Sequence, residues 1–171
     1  EERRTYDLDY QGRYAFSAHD VIWGLSHRTT SDSYTTNPLI LSFNPREFTQ
    51  RSTGIFLQDE WTLIPETLQF GMGARWDSTN LGGNTFAPNA TLMWTPTRSD
   101  TLWAKYAQAP RLPSRAEQNV TILNAVRPAQ APIPVPIVMR TTGDGSLTAE
   151  KMEGVEIGYC GQLTPSFNLD V

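Results

Sequence analysis

Few side chains in this sequence could do chemistry, and their spacing argues against most of it. His19 and His27 are eight residues apart and share a face if one strand carries both. No Cys, His or carboxylate nearby completes a tetrahedral set, so no metal site is expected there. Ser114 sits in Pro113-Ser114-Arg115, which is not a nucleophile elbow, and structural hydrogen bonding is the expected role. Asp144 and Glu150 flank Gly145 somewhat as in a calcium loop, but the alternating ligand series is missing. Gly71 and Gly73 would need a following helix start to cradle a phosphate; they fall inside a strand pattern, where they relieve crowding. Cys160 is the single cysteine, so neither an internal disulfide nor a CxxC site can form. No catalytic residue and no cofactor is therefore expected. The remaining cluster is Arg111, Arg115 and Glu117, charges that could sort an anionic ligand at a binding mouth or pin a loop to the structure beneath it.

Composition narrows the partners. With 14 Lys+Arg against 18 Asp+Glu the formal net charge is −4. No basic run offers a nucleic-acid surface. No segment approaches the ~20 apolar residues of a spanning helix. A mean hydropathy of −0.41 suits a soluble protein and a β-barrel equally, because strands wet on one side average out. Glu1-Glu2-Arg3-Arg4 opens the sequence without an apolar run, so no signal peptide is expected in this stretch.

The elements that would carry these residues have a period of two. Tyr6, Leu8, Tyr10, Gly12, Tyr14 and Phe16 alternate with Asp7, Asp9, Gln11, Arg13 and Ala15. The pattern recurs at Val21-x-Trp23-x-Leu25, Leu68 to Trp76, Phe86 to Trp94, Leu102 to Tyr106, Val155 to Tyr159 and Phe167 to Val171. It predicts about eight strands, near 3–16, 20–30, 49–62, 67–78, 86–95, 100–109, 150–160 and 166–171. Tight turns are expected at Ser17–His19, Leu63–Glu66, Pro96–Ser99 and Gly161–Pro165. Longer connections are expected at 31–48, Thr79–Thr85 and 110–149. The last holds the proline-rich run Arg127 to Ile137, read as a stiffened or mobile loop rather than a docking peptide. Short and long connections that alternate along a meander put every tight turn at one end, as in outer-membrane barrels.

Alternation also fits a soluble β-sandwich binding module. Three features favour an all-β, antiparallel up-and-down meander that is part of a transmembrane barrel. The strands reach the ~9–11 residues a tilted crossing needs. Trp61, Trp76, Trp94, Tyr106 and Tyr159 lie toward strand ends, as an interfacial girdle would. Asp, Arg, Gln and Lys occupy the other face well inside strands, as a wet lumen permits. His19 and His27 then take turn and lumen placements.

Residues 54–77 resemble a particular family. Gly54-Ile55-Phe56-Leu57-Gln58-Asp59-Glu60-Trp61, followed by Gly71-Met72-Gly73-Ala74-Arg75-Trp76-Asp77, is similar to a hairpin of TonB-dependent receptors. Phe86-x-Pro88 and Thr95-Pro96-Thr97 resemble that family's next hairpin. Arg111-Leu112-Pro113-Ser114-Arg115-Ala116-Glu117 resembles its Arg-x-Pro-Ser-x-x-Glu element. Gly143 to Glu150, with Glu156, Gly158 and Tyr159 downstream, resembles its Gly-Asn-Pro-x-Leu-x-Pro-Glu and Glu-x-Gly-Tyr. The chain departs at Pro110, Gln118, Gly145 and Ala149, which leaves the shape of 110–149 open. The resemblance implies capture of a scarce nutrient, most often a ferric siderophore, at the bacterial outer membrane, with import energised by the TonB inner-membrane complex. Barrels of about 22 strands are expected of such transporters, so residues 1–171 are expected to be a fragment of the barrel domain, without plug or energy-coupling segment. Arg111, Arg115 and Glu117 are the ligand-contact candidates; Gln58, Asp59, Glu60, Gly73, Arg75, Asp77, Pro113, Ser114, Glu150, Glu156, Gly158 and Tyr159 are family-motif residues expected to be structural. An enzyme on a β scaffold remains a third reading without a constellation to support it.

Overall fold

The structure is a computed structural model that describes residues 2–37, 39–130, 132, 134–164 and 167–171. Its strands are β1 (Glu2–Phe16), β2 (His19–Ser33), β3 (Leu41–Phe43), β4 (Glu47–Ile64), β5 (Leu68–Thr79), β6 (Gly83–Thr97), β7 (Asp100–Arg111), β8 (Val120–Arg127), β9 (Ile137–Thr142), β10 (Glu150–Thr164) and β11 (Phe167–Asp170), with one short helix, α1 (Arg115–Asn119). Eight of the strands form one antiparallel sheet in the order β1-β2-β4-β5-β6-β7-β10-β11. These are the eight expected from alternation. The barrel is not closed within this stretch.

The sheet is a single layer, and this decides between lipid and a dry interior. Register carries the apolar positions across the wall: Tyr10 faces Leu25, Leu25 faces Ile55, Ile55 faces Trp76 and Trp76 faces Phe86. All point outward, and among the described residues no second sheet covers them. Tyr6 is 72% exposed, Val155 74% and Ile157 79%. Apolar side chains so exposed over a whole face are stable only against another apolar phase. A soluble sandwich would have buried them. In β1 the band runs from Tyr6 to Phe16, the length a tilted strand needs to cross hydrocarbon. Above it Glu2, Arg4, Ser31, Ser33, Glu47 and Thr49 make the same face polar.

The opposite, lumen face is charged and internally paired. Arg13 donates to Asp20 (2.8 Å) and Arg28 to Asp7 (3.0 Å). Arg75 grips Asp77 through two bonds (2.7 and 2.6 Å) and reaches Ser26 (3.0 Å). Each pair adds little stability in water; together they keep the lumen wall polar.

Several expectations need correction. Thr79–Thr85 is not a long connection: β5 runs to Thr79, β6 starts at Gly83, and three residues turn the chain, aided by a positive φ at Gly82 (102°) and Gly83 (86°). His19 is not in a turn but opens β2, and both histidines face outward rather than into the lumen. Gly161 to Thr164 continue β10 rather than forming a turn; Pro165 of that expected turn and Ser166 of the last strand lie outside the described residues. Most important, the two long connections are not structureless. They contribute β3, β8 and β9, which form a separate sheet in the order β3-β8-β9. The proline run joins two paired strands, with Arg127 opposite Ile137; Ala131 and Ile133 in it, and Pro38 of the other loop, lie outside the described residues.

Candidate functional site

The candidate site lies on the lumen face at the outer end, where the loops fold back over the wall. β7 ends at Arg111, and the chain turns inward through Leu112 and Pro113 into α1. Ser114 is the N-cap: its hydroxyl accepts from the Glu117 amide (3.2 Å) while the Glu117 carboxylate accepts from the Ser114 amide (2.6 Å). This reciprocal box satisfies two backbone donors that a five-residue helix could not satisfy internally. Pro113 packs on the β5–β6 turn. A Cβ on Gly82 would come within 2.7 Å of its ring, so only glycine permits the approach. Leu81, 3% exposed, is buried there with Thr79 and Thr85. The described residues have their main buried cluster here rather than in the barrel wall.

Two clefts open beneath this roof. The larger, 520 Å³, runs between Arg28, Gln50 and Ser52 of the wall and Leu112 to Arg115 of the loop. The smaller, 300 Å³, shares Arg28, Gln50, Ser52 and Leu112 and reaches Asp7, Asp9 and Arg75. A lining with both signs of charge, hydroxyls and two leucines can hold a polar ligand with hydrogen-bonding edges. Among the described residues no group of three His, Cys, Asp or Glu could hold a metal ion.

The sequence-derived candidates come together here, but their charged ends do different things. Arg111 donates to Glu117 (2.5 Å) and to Glu150 (3.2 Å), tying α1 and the start of β10 to the end of β7. These bonds leave 59% of the Arg111 side chain accessible. Arg115 is 9% exposed, and its guanidinium is ion-paired with Asp32. Burial, and secondarily Arg3, pushes this guanidinium below its ordinary range. Ligand contact by Arg115 would require that enclosure to open.

Glu117 is held at about 2, against 4.5 ordinarily, first by the Ser114 amide and then by Arg111 and the Ser114 hydroxyl. A carboxylate with a depressed pKa stabilises the fold fully above its ordinary value and loses that contribution as pH falls toward the folded value. Exchange protection of the Ser114 amide is therefore expected to be flat from pH 7 to about 5 and to fall between about 4.5 and 2. Ser114→Ala is expected to cost the loop about 1 kcal/mol at neutral pH, read by proteolysis within 112–127. Insensitivity to both changes would mean the cap does not hold the loop.

The other motif residues have wall roles. Gln58 and Glu60 face the lumen, as does Gly73 between Gln58 and Asn89. Asp59 instead faces outward and bonds His19 (2.7 Å), whose ring stacks between Phe16 and Trp61. Sequence reasoning missed this pair because Asp59 occupies an apolar-phase position; the signal was its odd-numbered place beside Leu57 and Trp61. Glu156 lies opposite Lys105 on the lumen face, and Gly158 opposite Trp103. Tyr159 donates to Asp100 (2.5 Å) on the outward face near the tight-turn end. Asp144 and Glu150 do not converge: Asp144 accepts from Ser146 (2.8 and 2.6 Å), which lowers its pKa, and Glu150 meets Arg111.

Comparison with known proteins agrees with this architecture. The family model described as TonB dependent receptor-like, beta-barrel matches residues 1–170. No curated protein sequence matches the chain. Among solved structures, a mutant ferric enterobactin receptor (PfeA) of Pseudomonas aeruginosa in complex with enterobactin superposes with a TM-score of 0.75 at 16% identity, covering 98% of this chain and 26% of that one. The siderophore receptor PirA of Acinetobacter baumannii gives 0.73 at 13% identity, covering 98% and 26%. The FrpB iron transporter of Neisseria meningitidis gives 0.53 at 12%, covering 95% and 33%. At these identities the structures speak to fold, and the chain spans about a quarter to a third of their length. The single-layer wall, its apolar outward face and the near-complete family match lead to one conclusion: this chain belongs to the TonB-dependent receptor family and forms part of its outer-membrane β-barrel.

Proposed function

We propose that this chain is one wall of an outer-membrane transporter that captures a scarce nutrient, of the ferric siderophore class, for import energised through the TonB inner-membrane complex. The observation that carries the reading is the polar cleft on the lumen wall at the outer end, roofed by a loop segment held in a defined shape. A pre-shaped polar cleft at the mouth suits selection of a ligand before passage. The receptors it superposes on include one described with enterobactin and one described as a siderophore receptor, which supports the ligand class. The surrounding partners are then lipid on the outward face and, through segments of the receptor other than this barrel stretch, TonB. Of the charged candidates Arg111 keeps the most accessible side chain; it lies beside Leu112 of the cleft lining rather than in the lining itself, and we propose it as a ligand contact at the rim.

The test is uptake of radioiron-labelled ferric siderophores by iron-starved cells carrying the full-length receptor as their sole siderophore receptor. Uptake is expected, and it should vanish in cells lacking TonB. Arg111→Ala is expected to weaken binding about tenfold, the value of one charge-assisted hydrogen bond. Binding of no siderophore tried, or import that continues without TonB, would overturn the reading.

A further inference from the structure

We propose that Arg115 is a latch that makes the two long outer loops one body, so that the roof of the lumen cleft opens and closes as a unit. The observation is where its partners come from. The Arg115 backbone belongs to α1, fastened to β7 by the Ser114 cap and the Arg111–Glu117 pair. Its guanidinium leaves that segment altogether. It donates to the carbonyls of Pro45 (2.5 Å) and Arg46 (2.9 Å), pairs with Asp32, and lies 4.9, 5.3 and 5.5 Å from the rings of Tyr34, Phe43 and Phe48. Those partners span 32–48, the connection from β2 to β4 and its ends.

A guanidinium set among three rings, bonded to two carbonyls and paired with Asp32 ties α1 to six residues of the other connection at once. β3 has only three residues, each pairing with β8, and it is flanked by single bonds such as Asn44 to Asn119 (2.9 Å) and Leu123 to Ile40 (2.8 Å). A strand so short cannot hold two loops together by itself. Arg115 lines the 520 Å³ cleft together with Leu112, Pro113 and Ser114. Releasing it moves one wall of that cleft, whatever ligand the cleft takes.

Hydrogen–deuterium exchange on the full-length receptor in detergent micelles tests the proposal. Arg115→Ala is expected to speed exchange in 34–46 and in 118–142 by a matching factor, about tenfold or more, with β5 and β6 unchanged. Millimolar ethylguanidinium, which refills the emptied enclosure, is expected to restore both segments. If the alanine variant does not fold, Arg115→Lys keeps the charge without the planar fork, and an intermediate, still equal loosening of both segments is expected. Loosening confined to one segment, unequal factors, or no recovery with ethylguanidinium would overturn the latch.

Discussion

Ala90→Arg is expected to destabilise the folded barrel by about 2–4 kcal/mol, whereas Asn89→Arg, one residue away, is expected to change it by less than about 1 kcal/mol. Ala90 lies on the outward face midway between Phe86 and Trp94, opposite Met72 and Tyr106. No carboxylate of those cross-strand neighbours can meet an arginine there, so the guanidinium either desolvates in hydrocarbon or pulls water and headgroups inward. Asn89 points to the lumen, where water and the Arg75–Asp77 pair already make charge ordinary. The measurement is a denaturant titration of the full-length receptor in lipid vesicles, followed by heat-modifiable gel mobility. Equal costs at the two positions would mean that the two faces do not see different solvents.

Gly158→Val is expected to cost about 1–3 kcal/mol through overpacking, and Trp103→Ala in the same chain is expected to recover most of that loss. Gly158 sits directly across from Trp103, and a Cβ there would enter the indole ring. The tryptophan lies over the bare glycine backbone on the lumen side, so position 158 of this chain requires glycine by contact rather than by backbone dihedral. The same arrangement recurs outward, where Trp23 lies over Gly12 with ring atoms 2.7 Å from any Cβ. Vesicle titrations of both single variants and the double variant give the coupling directly. A glycine substitution without penalty would place the Trp103 ring elsewhere.

The wall strands were legible because all but β11 are long and periodic. Tyr6 to Phe16 needed no partner to declare which side chains turn the same way; that is a property of an extended backbone. Tight turns were legible for the same local reason after Phe16, after Ile64 and after Thr97, but not at Gly161 to Thr164, which continue β10, nor at Thr79 to Thr85, where Gly82 and Gly83 turn the chain in fewer residues than its polar composition suggested. The loop sheet was not legible. Leu41 pairs with Ile122 across most of the wall's sequence, β3 is too short to display a period, and the irregularity between Leu123 and Ala125 breaks the alternation of β8.

The candidate site divides the same way. Arg111, Ser114 and Glu117 are three residues apart at each step, and their cap and ion pair follow from local geometry, so a motif could point to them. Arg115 read as one more charge beside them. Only folding showed that its side chain runs to another loop and is enclosed by three rings, because enclosure depends on residues about seventy positions away. Asp59 likewise read as a motif carboxylate until the register set it beside His19 among outward aromatics. By itself, the sequence determined the alternation, hence the two solvents and the wall that separates them, since side-chain direction along a strand is fixed residue by residue. The tertiary structure alone decided which charges face the lumen free and which are bound to a distant loop, because burial and pairing belong to contacts between segments.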